Sequence, residues 1–357
     1  MQSQAISNTE EDSSLFTNSV SPLLLRAIKD PQLVSIAKKV ARKALLNERE
    51  AFAITQASLP VILKLIELSK LTVSSEKHIR IRPLLCVPIG ESLKSHNKEE
   101  TLSHCLLYAE QATKGFTSEK EIYIVPDFWS GTHSIYDLLW VLSKLKENAN
   151  DSFSLSPIGP SFLECAQIQS NYDLTFEALL SALRNAQVPS LAGESSLDSL
   201  LQATKMGFDL ALGQSLEISN SGDVNWEKFI DTIFAYRTLL LKSGNIKSFR
   251  PLSNHPIDSV QVQPQAPLAN TLFKAISIAR LLLPEVPFIR APLSIFGMKA
   301  AHVAVHYGAN DFGFGALDTS SQEKLGLMLY KDVLEVINQH PLGNTAGEFD
   351  AYAGNMK

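Results

Sequence analysis

Three cysteines carry the most distinctive chemistry in this chain, and their spacing limits what they can do. Cys86 ends a predicted strand at residues 79–86 and leads into a polar loop, whereas Cys105 and Cys165 lie much further along the chain. A cysteine without neighbouring cysteines is more often a small buried apolar residue than a metal ligand. We therefore predict that Cys105 and Cys165 belong to the core. We predict no metal site, with Cys86 as the one candidate ligand.

Polar side chains near the ends of predicted strands, together with one arginine on a helix, are candidates for binding a ligand. They are Asp127, Glu194, Asn254, His255, Arg280, Asn310 and Asp311. Glu194 follows the fourth strand, where it either lines a site or stabilises the positive start of the next helix. Asp127 either lines a pocket or caps a helix. His255 either binds or transfers protons or bonds to its own loop.

Arg280 is unusual because the helix stripe around it is otherwise apolar. A buried arginine needs an anionic partner, and Asp311 or a ligand carboxylate are the two candidates. Asn310 and Asp311 begin the last predicted strand between two glycines, so a role in a tight turn is the alternative to ligand contact.

Strands and amphipathic helices alternate regularly from residue 79 onward. The predicted strands are 79–86, 121–125, 153–158, 188–192, 208–212, 246–252, 288–296 and 311–315, and a last helix is predicted at 321–338. Eight strand–helix units predict an α/β fold, a closed parallel (β/α)8 TIM barrel. A doubly wound open sheet is the alternative, but no glycine fingerprint follows the first strand.

The remaining segments precede and follow the predicted barrel in the sequence. Residues 1–20 are polar and acidic and are predicted to be disordered. Residues 21–75 show a helical period and are predicted to form a helical N-terminal extension. The barrel is assigned to residues 76–340 and a C-terminal tail to 341–357. A proline-rich loop is predicted after the sixth strand, at residues 253–270.

Composition excludes several classes of function. The chain has 357 residues, 45% of them hydrophobic, and a net charge of −5. It shows no basic cluster that would bind nucleic acid and no apolar stretch long enough to span a membrane. The start of the sequence lacks a signal-peptide pattern. We therefore expect a cytoplasmic protein that binds a small-molecule ligand or a paralogous enzyme, with a homodimer as a possible state.

Five collinear stretches give the sequence a family resemblance. They are residues 33–40, 187–194, 249–256, 276–289 and 307–313. They resemble the radical-SAM enzymes of the futalosine route to menaquinone, most closely aminofutalosine synthase, with cyclic dehypoxanthine futalosine synthase and the deazaflavin (FO) synthase as relatives. The resemblance implies a (β/α)8 barrel and a functional role for Glu194. It also implies a [4Fe–4S] cluster and S-adenosylmethionine.

The chain departs from that family where the cofactors bind. The family carries Cys-x-x-x-Cys-x-x-Cys in the loop after the first strand, because three thiolates hold the cluster. In this chain Cys86 is followed by no second cysteine in that loop. Asp127 stands in place of a family glycine, and Gln214 in place of a family histidine. We therefore expect neither the cluster nor S-adenosylmethionine as a cofactor.

Three functions remain open at this point, and the sequence does not decide whether the chain is an enzyme. The first is a non-radical homologue that binds a futalosine-like nucleoside or a chorismate-derived acid, or that assists an active paralogue. The second is an aminofutalosine synthase with unorthodox cluster ligation, which joins an adenosyl radical to an enolpyruvyl-benzoate. The third is a barrel enzyme that uses Asp127, Glu194 and His255 for acid–base chemistry.

Overall fold

The computed structural model describes eleven parts of the chain, and the statements below concern these parts. They are residues 26, 28–72, 80–87, 97–112, 120–124, 135–148, 155–159, 162–217, 223–251, 266–291 and 303–315. The predicted N-terminal disorder, the last helix and the C-terminal tail lie outside them. So do the candidate residues Asp127, Asn254 and His255.

Eight parallel strands are described, and their order is that of a barrel. They are β1 (Arg80–Val87), β2 (Lys120–Ile124), β3 (Leu155–Gly159), β4 (Ser190–Gly193), β5 (Asp209–Gln214), β6 (Ile246–Pro251), β7 (Phe288–Ile289) and β8 (Asp311–Gly315). Hydrogen bonds link them in the orders β3-β2-β1-β8 and β4-β5-β6-β7. A parallel bridge between Arg290 and Asp311 joins β7 to β8. The predicted (β/α)8 fold class is confirmed.

One seam interrupts the ring of strands. β3 and β4 lie side by side, but the described residues contain no hydrogen-bonded ladder between them. Two helices connect these strands where the sequence predicted one: Phe162–Tyr172 and Phe176–Asn185. The first was missed because its buried stripe is short: Phe162, Cys165 and Ile168 alternate with polar residues.

Ten helices of the described chain cover the strands. They are α1 (Pro31–Ala41), α2 (Glu48–Gln56), α3 (Leu59–Thr72), α4 (Lys98–Ala112), α5 (Ile135–Asn148), α6 (Phe162–Tyr172), α7 (Phe176–Asn185), α8 (Leu197–Lys205), α9 (Trp226–Ser243) and α10 (Ala266–Leu282). The loop predicted at residues 253–270 is wrong at its end, since α10 begins at Ala266. Pro267 lies in the first turn of that helix, where its missing N–H costs nothing.

The N-terminal helices α1 to α3 pack on the outside of the later barrel helices. α3 contacts α10, and α2 contacts both α9 and α10. The contact is apolar, with Ile54, Ile62, Leu65 and Ile66 all fully buried. The start of α2 is fixed by a capping box in which Asn47 and Glu50 bond each other's backbone N–H.

Two cationic side chains of the barrel helices also bond to backbone carbonyls of this N-terminal region. Arg237 Nη1 donates to Leu46 O at 2.8 Å, and Lys274 Nζ donates to Thr55 O at 2.9 Å. Ile66 of α3 also reaches the turn that precedes β8, near Gly308. The N-terminal helices therefore contact the end of the barrel where β8 begins, away from the carboxyl ends of the strands.

Gly308 is the residue of that turn with the strictest backbone requirement. Its φ is +103°, and a Cβ atom there would lie 2.9 Å from Arg280 Cγ. We expect Gly308→Ala to lower the free energy of unfolding by about 3 kcal/mol, through backbone strain and overpacking. Urea denaturation measures this change.

Gly244 provides the matched control for this prediction. It also has a positive φ, +67°, but nothing lies within 4 Å of the position that a Cβ atom would take. Gly244→Ala should therefore lower the free energy of unfolding through backbone strain alone, by about 1 kcal/mol. Equal losses for the two variants would show that the contact with Arg280 contributes nothing.

Candidate ligand site at the carboxyl ends of β4 to β6

The barrel-facing side of β4, β5 and β6 consists of small residues. Phe249 of β6 packs against Tyr236 of α9 with ring centroids 6.0 Å apart, so Phe249 faces the helices. Its register partner Leu212 faces the same way. Alternation then places the following residues towards the barrel axis: Ser190, Ala192, Ala211, Gly213 and Ser248. Barrel interiors are usually filled by bulky branched residues, so the side chains on this half of the barrel are smaller than is usual.

Glu194 and Arg250 lie at the upper edge of this small-residue surface. Glu194 directly follows β4, and the β4–β5 register places it level with Gly213. Gly213 is in turn the register partner of Arg250. Because Gly213 has no side chain, nothing on β5 separates the acidic residue from the basic one. The charge of Arg250 acts on the Glu194 carboxyl.

Burial nevertheless dominates the titration of Glu194. The carboxyl is half-buried, and this desolvation raises its pKa above the ordinary value. Three smaller effects act in the opposite direction: a hydrogen bond from Ser215 N to Oε1, and the charges of Lys228 and Arg250. Glu194 is therefore a carboxylate kept in a partly desolvated place at the carboxyl end of a strand. That position is where barrel enzymes carry their sites.

A polar shell on α9 and its preceding loop surrounds Glu194. Lys228 pairs with Glu217, and Asn225 Nδ2 donates to Glu217 Oε2 at 3.2 Å. Tyr236 OH donates to Gly213 O at 3.2 Å. Burial and the nearby charge of Glu194 raise the pKa of Tyr236. This shell holds the loop after β5 against the start of α9.

The raised pKa of Glu194 leads to a testable effect on stability. A carboxyl with a raised pKa in the folded state makes the protein less stable as pH rises through that pKa, because folding favours the protonated form. We expect Glu194→Gln, which resembles the protonated form, to increase the free energy of unfolding at pH 7. The gain should disappear below pH 4.5, the ordinary value for glutamate.

Urea titrations of both proteins across this pH range measure the effect. Glu217→Gln is the matched control, since ion pairing lowers the pKa of that exposed carboxyl. It should therefore show no stabilisation at pH 7. A Glu194→Gln protein that is less stable than wild type at pH 7 would show that the carboxylate stabilises the fold.

A buried ion pair lies deeper in the barrel. Arg290 Nε donates to Asp311 Oδ2 at 2.8 Å, and the two side chains are 3% and 0% exposed. Ile289 shares the helix-facing side with Phe249, so the next residue, Arg290, faces the axis. In the register Arg80 of β1 stands opposite Asp311. The pair links β7 to β8 inside the barrel.

Arg280 does not pair with Asp311, so that predicted partnership is wrong. Its guanidinium donates to Gly308 O at 3.0 Å, to Val286 O at 2.9 Å and to Asn310 Oδ1 at 2.5 Å. Burial lowers the pKa of Arg280 to about 9, which leaves the group charged at neutral pH. The carbonyl oxygens of Gly308, Val286 and the Asn310 side chain take the place of the expected anion.

Asn310 uses its side chain in the same turn. Oδ1 also accepts from Ile289 N at 2.9 Å, and Nδ2 donates to Pro287 O at 2.9 Å. Arg280 and Asn310 thus join α10, β7 and β8 at the end of the barrel opposite Glu194. Among the candidates that the structure describes, Glu194 lies apart from Arg280 and Asn310.

Two of the three cysteines are core residues. Cys105 of α4 and Cys165 of α6 are buried, as predicted, and burial raises the pKa of Cys105 to about 12. Cys86 is the seventh residue of β1. Within the described ranges, no three His, Cys, Asp or Glu residues lie close enough to hold a metal ion. The same ranges contain no helix that is long and apolar enough to cross a membrane.

Sequence reasoning missed Arg250, Gly213 and the buried Arg290. The available signal was alternation: Ser248 and Arg250 share one face of a strand whose other face carries Phe249. Recognising that Gly213 lies between Arg250 and Glu194 requires the register of three strands, which the sequence does not state.

Comparison with solved structures supports the barrel fold. The alignment with methylornithine synthase (PylB) has a TM-score of 0.51 at 14% identity and covers 79% of this chain and 87% of that chain. The alignment with the FeFe-hydrogenase maturase HydG from Carboxydothermus hydrogenoformans has a TM-score of 0.55 at 13% identity and covers 96% of both chains. A second HydG structure gives 0.56 at 11% identity, with 92% and 79% covered.

The chain has the barrel fold of these enzymes. At such low identity the likeness concerns the fold alone. No protein-family model and no curated protein sequence matches the chain.

Proposed function

We propose that this radical-SAM-type barrel binds a small ligand between Glu194 and Arg250 and works without the three-cysteine cluster. The observation that carries the proposal is the acid and the guanidinium on either side of Gly213, above a barrel wall of small residues. Arginine is suited to binding a carboxylate or phosphate. A half-buried carboxylate accepts hydrogen bonds from hydroxyl or amino groups. The ligand therefore carries both an anionic group and hydrogen-bond donors.

The placement of the cysteines supports the cluster-free part of the proposal. A radical-SAM cluster of the expected type needs three thiolates in one loop. Cys105 and Cys165 are buried in two different outer helices, so at most Cys86 is left for the mouth of the barrel. The residues present therefore do not fit the cluster.

The resemblance to the futalosine enzymes narrows the ligand class. A futalosine-like nucleoside or a chorismate-derived acid offers hydroxyl groups together with a carboxylate, which matches Glu194 and Arg250. We infer a role in menaquinone biosynthesis on this basis, as a ligand-binding homologue. If the protein acts through a paralogous enzyme, this site is where that enzyme's ligand is held.

Ligand-induced thermal shifts test the proposal, because a ligand that binds the native state raises its melting temperature. We expect futalosine or chorismate to raise the melting temperature of the wild type and S-adenosylmethionine to leave it unchanged. Arg250→Gln should weaken binding by about tenfold or more, the effect of losing a charge-assisted hydrogen bond. Lys247→Gln, on the opposite face of β6, is the control and should bind like the wild type.

Two results would contradict the proposal. One is the absence of any shift with all three compounds, which would favour a role through a partner protein. The other is an iron–sulfur signal in electron paramagnetic resonance after anaerobic reconstitution, lost in Cys86→Ala. That signal would favour an aminofutalosine synthase with unorthodox ligation.

A further inference from the structure

A second surface, far from Glu194 in sequence, has the chemistry of a binding groove. It has a volume of 620 Å³ and lies between α9 and the connection from α1 to α2. Its lining residues are Leu45, Leu46, Asn47, Glu48, Arg49, Phe234 and Arg237. The walls therefore combine apolar side chains with two arginines and one glutamate.

The two arginines leave donors available to a ligand. Arg237 stacks on Phe234, with its guanidinium 4.2 Å from the ring centroid. It donates to one backbone carbonyl, and a guanidinium has five N–H donors. The charges of Glu285 and Glu48 act on Arg237, but neither carboxylate forms an ion pair with it. Arg49 likewise forms no ion pair within the described part of the chain.

Exposed apolar side chains extend the groove on both sides. Leu45 is 50% exposed, Phe52 on α2 is 47% exposed, and Leu241 on α9 is 67% exposed. Phe52 follows Arg49 by three residues and Leu241 follows Arg237 by four, so each shares a helix face with its arginine. A surface that combines exposed apolar groups with a charged rim is typical of a peptide-binding site.

The chain itself contains a segment of complementary composition. Residues 9–16 contain Glu10, Glu11 and Asp12, followed by Leu15 and Phe16. Between Phe16 and Ile28, twelve residues further on, an extended chain spans about 40 Å. Helix α1, which leads from Ile28 to the groove, is about 16 Å long. The acidic segment therefore has enough chain to reach the groove.

We propose that the groove binds the chain's own acidic segment, residues 9–16. The carboxylates pair with Arg49 and Arg237, and Leu15 or Phe16 contacts Leu45 and the partly buried ring of Phe234. A polar segment that lacks a core of its own can become ordered on such a surface. The proposal is independent of the ligand at Glu194.

Hydrogen–deuterium exchange on the full-length protein tests this inference. We expect the amides of residues 9–16 to exchange about tenfold more slowly in the wild type than in Arg49→Gln, as expected for a few solvent-exposed ion pairs. Salt at about 1 M should abolish the difference, because it screens such pairs. Lys205→Gln, which removes an exposed cation on α8, is the control and should exchange like the wild type.

Charge reversal distinguishes ion pairing between residues 9–16 and the groove from a general effect of the substitution on folding. Arg49→Glu should remove the protection, and adding Glu10→Arg and Glu11→Arg in the same chain should restore it. Equal exchange in the wild type and Arg49→Gln would overturn the proposal. Protection that depends on protein concentration would also overturn it, since the groove would then hold the segment of a second copy.

Discussion

Replacing Arg280 with methionine is expected to lower the free energy of unfolding by about 4 kcal/mol. Methionine keeps much of the apolar stem but leaves Gly308 O and Val286 O unpaired. It also removes one of the two hydrogen bonds to Asn310 Oδ1. An unpaired buried polar group costs about 1–3 kcal/mol. Arg280 is 6% exposed, so water does not readily replace the lost donors. Urea denaturation followed by circular dichroism measures the loss.

Lys274→Met provides the comparison for Arg280→Met. Lys274 lies on the same helix and also bonds a carbonyl, Thr55 O, but its side chain makes one bond and is only partly buried. Its replacement should cost about 1 kcal/mol. If the two methionine variants lose similar amounts, the turn before β8 does not depend on the guanidinium.

Replacing Asp311 with alanine is the second change with a large expected effect. It removes the carboxylate that compensates Arg290 inside the barrel, where both side chains are almost fully buried. Breaking a buried pair in this way costs about 3–5 kcal/mol, because it removes a counter-charge from a buried guanidinium. The same unfolding experiment measures it.

Two further variants separate charge from packing at this position. The double replacement Arg290→Met and Asp311→Leu removes both charges together and should recover much of the loss. Asp209 pairs with Lys247 at 3.5 Å, and both side chains are about half exposed. Asp209→Ala should therefore cost less than about 1 kcal/mol. A double variant as unstable as Asp311→Ala alone would show that packing, not charge, determines the contribution of this site to stability.

The sequence predicted the strands well because their signal is local. Alternating and continuous apolar runs placed β1, β2, β4, β5, β6 and β8 within a few residues of where they lie. Burial of Cys105 and Cys165 was predicted from their isolation in the sequence. Short elements were harder to predict, since α6 contributes only three buried residues and therefore shows a weak helical period.

The partners of the charged residues were not predictable from the sequence. A buried arginine needs acceptors, but the sequence does not show which backbone carbonyls can serve. Asp311 was therefore the predicted partner for Arg280. Asp311 instead pairs with Arg290, its neighbour across the bridge between β7 and β8. The placement of Glu194 and Arg250 on either side of Gly213 likewise depends on strand register. Neither interaction follows from spacing along the chain.

The packing of the first helices on the last ones has a consequence for biosynthesis. The bonds from Arg237 to Leu46 and from Lys274 to Thr55 span 191 and 219 residues. Helices α1 to α3 leave the ribosome well before α9 and α10, the helices that bury their apolar faces. Contacts between residues so far apart in the sequence form slowly. Until they form, helices α1 to α3 expose apolar surface. We therefore expect the nascent chain to depend on chaperones until translation has passed α10.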